Sequence, residues 1–240
     1  MAENHSTTRE GATAYAEHLL TCARQVWFVT DLDETPYMLG GSCFLCCLGC
    51  EIYVVTAKHV LREQCPGKVF IARHSKCPEP LRFDEFIQII PRADPTEEWG
   101  DLVLLRLQTT RYPPDYFANE APYRLPGSIP QWTPSMNGRL IVRGYPFGLA
   151  SIDYTAGELR QVPLDLFAEL DGVPCADGRV PIRFLNTVLN LDGISGAPVL
   201  WVSSDPPNDH CLAGVMLRAG WFLHADVLMK TIASLGNPAS

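Results

Sequence analysis

Basic charge is in short supply in this chain. Nineteen lysines and arginines stand against 27 aspartates and glutamates, a formal net charge of −8 at pH 7. Such a balance repels a phosphate backbone, so nucleic acid is not an expected partner. Long apolar runs are also missing, and none approaches the roughly 20 residues that a membrane-spanning helix needs. The first residues, Met1 to Gly11, are polar and carry both signs of charge, without the basic-then-apolar layout of a secretory signal. A reducing, cytoplasmic setting is therefore expected for the nine cysteines, an odd number, with free thiols acting as small apolar side chains. Cys43, Cys46, Cys47 and Cys50 form a Cys-x-x-Cys-Cys-x-x-Cys run. They fall in one continuous apolar segment rather than in the two separated pairs usual for structural zinc, so a zinc site is not expected.

Long helical stretches are scarce as well. What the chain does have is 20 prolines and 18 glycines scattered between short apolar, β-branched and aromatic runs, the pattern of an all-β protein with many turns. Residues 1–24 read as a loose tail with a helix at Ala12–Arg24, and residues 25–110 as a first β-rich unit. Leu48-Gly49 reads as a hairpin turn within it. Residues 111–138, with Pro113, Pro114, Pro122, Pro126, Pro130 and Pro134, read as a connector. Residues 139–240 form a second β-rich unit, with strands expected at Arg139–Val142, Ile152–Val162, Ile182–Val188, Ala197–Val202, Cys211–Leu217 and Trp221–His224, and a closing helix at Asp226–Leu235. Two β-rich halves of similar length suggest two barrels or sandwiches with a cleft between them.

Three segments carry chemistry. In Gly193-Ile194-Ser195-Gly196, glycines allow a tight exposed turn that presents a hydroxyl, and the backbone N–H groups of Gly193 and Ser195 are candidates for stabilising an oxyanion. In Thr56-Ala57-Lys58-His59, an apolar strand delivers an imidazole at its end, and imidazole titrates near neutrality, as a general base must. In Gly100-Asp101-Leu102-Val103, a carboxylate opens an apolar strand, where burial demands a partner such as a histidine N–H. Each segment alone has an ordinary structural reading as a turn or strand end. Together, in the order histidine, aspartate, serine across a proline-rich crossing, they point to nucleophilic catalysis by Ser195 with His59 and Asp101.

The series Gly40–Leu45, Thr56–Leu61, Asp101–Leu105, Arg143–Gly148, Asp192–Val199 and Ala213–Val215 resembles, in order, the trypsin-like serine peptidases, especially the disulfide-free bacterial branch and the HtrA-type protease domain, here without a PDZ domain. The resemblance implies two perpendicular six-stranded antiparallel barrels, an active site in the cleft, and a protein or peptide as substrate. It also implies that no metal or organic cofactor is required.

Secreted relatives carry a cysteine just after the histidine, where this chain has Val60. Zymogen-type relatives have an aspartate just before the serine, where it has Ile194. The polar residue that many relatives place after the Gly-Val segment is here Met216. The resemblance puts the base of the primary pocket at Leu189 and its walls at Gly214, Val215, Met216 and Leu217, which would make an apolar pocket. Asp192 reads first as an exposed turn aspartate, with the alternative that it draws a basic side chain to the rim. The alternative is a protease-like module that captures a peptide or partner without turnover. For a stand-alone protease, control is expected from a regulatory protein partner, from narrow specificity or from an induced active-site arrangement acting through the N-terminal helix at Ala12–Arg24.

Overall fold

The computed structural model describes residues 21–48, 51–71, 81, 83–88, 98–107, 122–125, 132–155, 158–160, 162–185, 190–205, 209–218 and 220–235. The first half is built from β1 (Ala23–Val29), β2 (Tyr37–Leu48), β3 (Glu51–Ala57), β4 (Val69–Ile71), β5 (Phe83–Gln88), β6 (Leu102–Leu107) and the two-residue β7 (Tyr123–Arg124). These form one sheet in the order β4-β1-β2-β3-β6-β5, with β7 added in parallel to β2. Residues 1–20 and the hairpin turn at Gly49 lie outside the described residues. Ala23 and Arg24, expected at the end of a helix, belong instead to β1, where Ala23 pairs with Phe44 and Arg24 with Cys43. Pairing with the long β2 outweighs local helix preference there.

The second half contains β8 (Gly138–Gly144), a small hairpin of β9 (Ser151–Asp153) and β10 (Glu158–Arg160), then β11 (Leu164–Leu170), β12 (Arg179–Phe184), β13 (Pro198–Ser203), β14 (His210–Arg218) and β15 (Trp221–His224). Six of these strands close a barrel in the order β11-β12-β15-β14-β13-β8. Closure satisfies both edges of every strand, which an open sheet cannot do.

The expected connector is therefore partly structural, because Tyr123–Arg124 extends the first sheet and the Tyr123 hydroxyl accepts from Leu212 N at 2.9 Å in the second half. The core follows the same logic. One buried cluster runs from Val26, Phe44, Val55 and Leu104 of the first sheet into Leu200, Val215, Leu217 and Leu228 of the second half. A second cluster, including Leu166, Val180, Ile194, Met216 and Phe222, fills the closed barrel. Among the described residues the helices are short: α1 (Lys58–Leu61) is a single turn, and α2 (Ala225–Leu235) buries Ala225, Leu228 and Ile232, a spacing of one helical face.

Candidate active site

Strand register decides where the imidazole and the carboxylate meet. β3 and β6 pair antiparallel with Ala57 opposite Leu102, so Asp101, which precedes β6, falls beside the α1 turn that follows β3. Asp101 holds His59 with both oxygens. Oδ1 accepts the His59 backbone N–H at 3.0 Å, and Oδ2 lies 2.6 Å from ring Nδ1. The carboxylate thus fixes the main chain and the ring together, and a proton on Nδ1 leaves Nε2 as the basic nitrogen. The histidine side chain is 46% exposed and the aspartate 18%, so the ring opens to solvent while its partner is sheltered.

Ser195 sits in a loop wound tightly against β14. Ile194 N donates to Leu191 O at 3.2 Å, Ala197 N to Ile194 O at 3.0 Å and Gly196 N to Met216 O at 2.6 Å, while the buried Ile194 side chain pins the loop to the barrel core. Gly193 and Gly196 have φ of +100° and +86°, left-handed conformations that glycine adopts without a Cβ penalty. At Gly196 a side chain would also collide with Ser42 O and Thr56 Oγ1. Among the described residues, neither the Gly193 N–H nor the Ser195 N–H has an acceptor. Two such donors, on alternate residues beside a hydroxyl, are what a developing oxyanion requires. The Ser195 hydroxyl donates to Leu217 O at 3.0 Å rather than to the His59 ring.

The two halves meet at β2. A Cβ placed on Gly41 would lie 3.0 Å from Val60, the residue after His59, and 3.5 Å from Ser195 O. The segments that carry His59 and Ser195 thus meet at the same junction. Ser42, next along, donates its backbone N–H to Ser195 O at 3.0 Å. Its role was not signalled by the sequence, because a lone serine in an apolar strand carries no local mark of a partner so far along the chain.

Of the pocket residues expected by resemblance, Leu189 lies outside the described residues. Asp192 is exposed and tied into its own turn, its Oδ2 accepting from Asn190 Nδ2 at 2.9 Å and its N–H donating to Asn190 Oδ1 at 3.0 Å. Val215, Met216 and Leu217 have fully buried side chains, with Met216 in the closed-barrel core and Val215 and Leu217 in the cluster shared with the first sheet. Gly214 faces Leu223 O too closely for a side chain. At Leu217, then, it is the backbone carbonyl that reaches the site.

The seven described cysteines are free thiols, and Cys50 lies outside the described residues. Cys22, Cys43 and Cys46 are buried. Burial pushes the Cys22 thiol up to about 12, and Cys43 and Cys46 also rise well above the ordinary thiol range. Protonated thiols at these positions are neither nucleophiles nor metal ligands. Among the described residues there is no group of three or more histidine, cysteine or acidic side chains placed to hold a metal ion.

No family model matches the chain, and no curated protein matches it in sequence. Solved structures do. The inactivated protease paralogue S-D1 of the scabies mite aligns with a TM-score of 0.52 at 13% identity, covering 92% of this chain and 95% of that one. Human heparin binding protein aligns at 0.57 with 16% identity, covering 92% and 94%. Mouse neuropsin, a serine protease expressed in the limbic system of the brain, aligns at 0.54 with 14% identity, covering 92% and 96%. The fold is the two-barrel chymotrypsin fold of the trypsin-like serine proteases. Because a structure described as an inactivated protease shares it, the fold leaves activity to be argued from the site.

Proposed function

We propose that the chain is a serine endopeptidase in which Ser195 attacks a peptide carbonyl, His59 takes and returns the proton, and Asp101 orients the imidazole. The observation that carries this reading is the two-pronged grip of Asp101 on His59, 3.0 Å to the main chain and 2.6 Å to Nδ1. A carboxylate that merely closed a turn would need only the first.

In the proposed reaction, the hydroxyl turns from Leu217 O toward Nε2. This is a rotation between staggered wells that exchanges one hydrogen bond for another, a cost of about 1 kcal/mol against the 8 kcal/mol or so that even modest enzymatic acceleration represents. Oxygen bonds to the carbonyl carbon as its proton passes to His59, and the N–H groups of Gly193 and Ser195 receive the oxyanion. His59 then protonates the leaving amine, and water hydrolyses the acyl-enzyme by the reverse proton path. Leu217 O, vacated by the hydroxyl, becomes free to accept an N–H from an extended substrate.

The absence of cysteine after His59 supports placing the chain with the disulfide-free branch, since Val60 packs where a Cβ on Gly41 would come within 3.0 Å. With seven free thiols described, we propose a reducing, cytoplasmic location.

The Ser195–Leu217 bond favours a second reading, a module that binds peptides in the cleft without cleaving them. A fluorophosphonate probe separates the two. The enzyme forms one covalent adduct, mapped by mass spectrometry to Ser195 and lost in His59→Ala. A folded wild-type protein left unmodified while a control protease reacts would favour the silent module.

A further inference from the structure

We propose that Ser42 is a positioning residue that sets the nucleophile and its oxyanion donors against the base, an inference that rests on the protease reading above. Ser42 is fully buried in β2, where packing alone would select an apolar side chain. A buried hydroxyl is retained at a cost unless its hydrogen bonds are made, and here both are. Its Oγ donates to Gly193 O at 2.6 Å and accepts from Tyr145 N at 2.8 Å. Its backbone N–H donates to Ser195 O at 3.0 Å, and its carbonyl accepts from Thr56 Oγ1 at 2.8 Å.

The nucleophile loop gives these four bonds their meaning. Each carbonyl from residue 192 to 195 has a donor. Asp192 O takes Phe147 N at 2.9 Å, Gly193 O takes Ser42 Oγ at 2.6 Å, Ile194 O takes Ala197 N at 3.0 Å and Ser195 O takes Ser42 N at 3.0 Å. Ser42 supplies two of the four. A peptide plane whose carbonyl is held has its orientation fixed. The Gly193 N–H shares its plane with Asp192 O and the Ser195 N–H with Ile194 O, while Ser42 holds the alternate planes, Gly193–Ile194 and Ser195–Gly196, that come directly after each donor residue. Gly193, at φ +100°, has no Cβ of its own to restrict it. Among the described residues, the N–H groups of Gly193 and Ser195 are the ones this arrangement leaves without an acceptor. On its other side Ser42 is tied to Thr56, which lies on β3 three residues before His59. One residue therefore links the strand that delivers the base to the loop that delivers the nucleophile.

The test uses the full chain and a fluorophosphonate probe, measuring the rate of adduct formation at saturation (kinact) and the probe concentration at half-saturation (KI), together with the melting temperature. Ser42→Ala removes the hydroxyl but keeps the backbone bonds. It is expected to lower kinact about 10- to 100-fold, short of the 10²–10³ typical for removing an oxyanion donor outright. KI should stay within about twofold, and Ser42→Thr, which keeps the hydroxyl, should recover kinact to within about threefold. If Ser42→Ala does not fold, Ser42→Cys, a weaker donor of similar size, replaces it with the same expectation. Unchanged kinact in a reactive protein overturns the role of Ser42 and leaves the protease reading standing. So does a variant in which kinact and KI shift together, the protein melts earlier, and threonine restores nothing. A wild type inert to the probe removes the protease reading, and the role of Ser42 with it.

Discussion

Asp101 touches His59 twice, and the two bonds fail differently when the carboxylate is replaced. Asp101→Asn keeps an oxygen for one of them but places an N–H donor where the other oxygen stood, which favours the wrong tautomer of the ring. The expected result is a fall in kcat of about 10⁴-fold with the melting temperature changed by no more than a few degrees. A variant that keeps its activity would show that the contact, 2.6 Å at Nδ1, only braces the loop. Gly196 makes a prediction of the opposite kind, because its φ of +86° and the closeness of Ser42 O both exclude a side chain. Gly196→Ala should lower stability by about 3 kcal/mol or more, combining left-handed strain with a steric clash, read as the shift in urea midpoint. His59, Asp101 and Ser195 could be singled out in the sequence because each lies beside an apolar run, and the structure joins two of them, His59 and Asp101, by hydrogen bonds. Ser42 was not, because its meaning depends on Gly193, 151 residues away.

At the scale of elements, most strands of the second half followed from apolar runs flanked by glycine or proline. β11 did not stand out, since Asp165 and Glu169 break its apolar pattern. The structure gives the reason these acids are tolerated. Asp165 sits opposite Arg143 of β8 and takes two hydrogen bonds of 2.6 Å from it, while Glu169 sits opposite Arg183 of β12 and pairs with it. Cross-strand partners replaced the apolar signal. β7 was hidden for a different reason, because two residues pairing in parallel with β2 leave no periodicity to read.

The β1–β2 region holds three buried thiols, Cys22, Cys43 and Cys46, and it makes two predictions. In native protein, iodoacetamide should modify the exposed Cys65 and Cys175 and spare Cys22, Cys43 and Cys46; equal labelling of all five would contradict the packing described here. The second concerns pH. Cys22 is pushed up to about 12 from an ordinary 9.0, so the folded state keeps a proton that the unfolded chain releases. Its contribution is complete below about pH 9 and declines as pH rises from there toward 12, at up to about 1.4 kcal/mol per pH unit. Urea midpoints at pH 8, 9 and 10 should fall above pH 9, and less steeply in Cys22→Ala. Identical slopes for the two proteins would refute that assignment.

For the whole molecule, the two-barrel plan could be read from two β-rich halves and the proline-rich crossing between them. How firmly the halves are joined could not. The core that includes Val26 and Phe44 continues into Val215 and Leu228, and Ser42 bonds the first sheet to the nucleophile loop. Catalysis by groups drawn from both halves requires such a joint, since an ångström of slip between His59 and Ser195 would uncouple proton transfer from attack. The proposed function stands most directly on peptide cleavage itself. Wild type and Ser195→Ala should be incubated with the same mixed-sequence peptide library and the products sequenced by mass spectrometry. The endopeptidase reading predicts internal cleavages by the wild type, with a consistent preference beside the scissile bond, and none by Ser195→Ala. An intact library with folded wild type, or equal cleavage by both proteins, would contradict it.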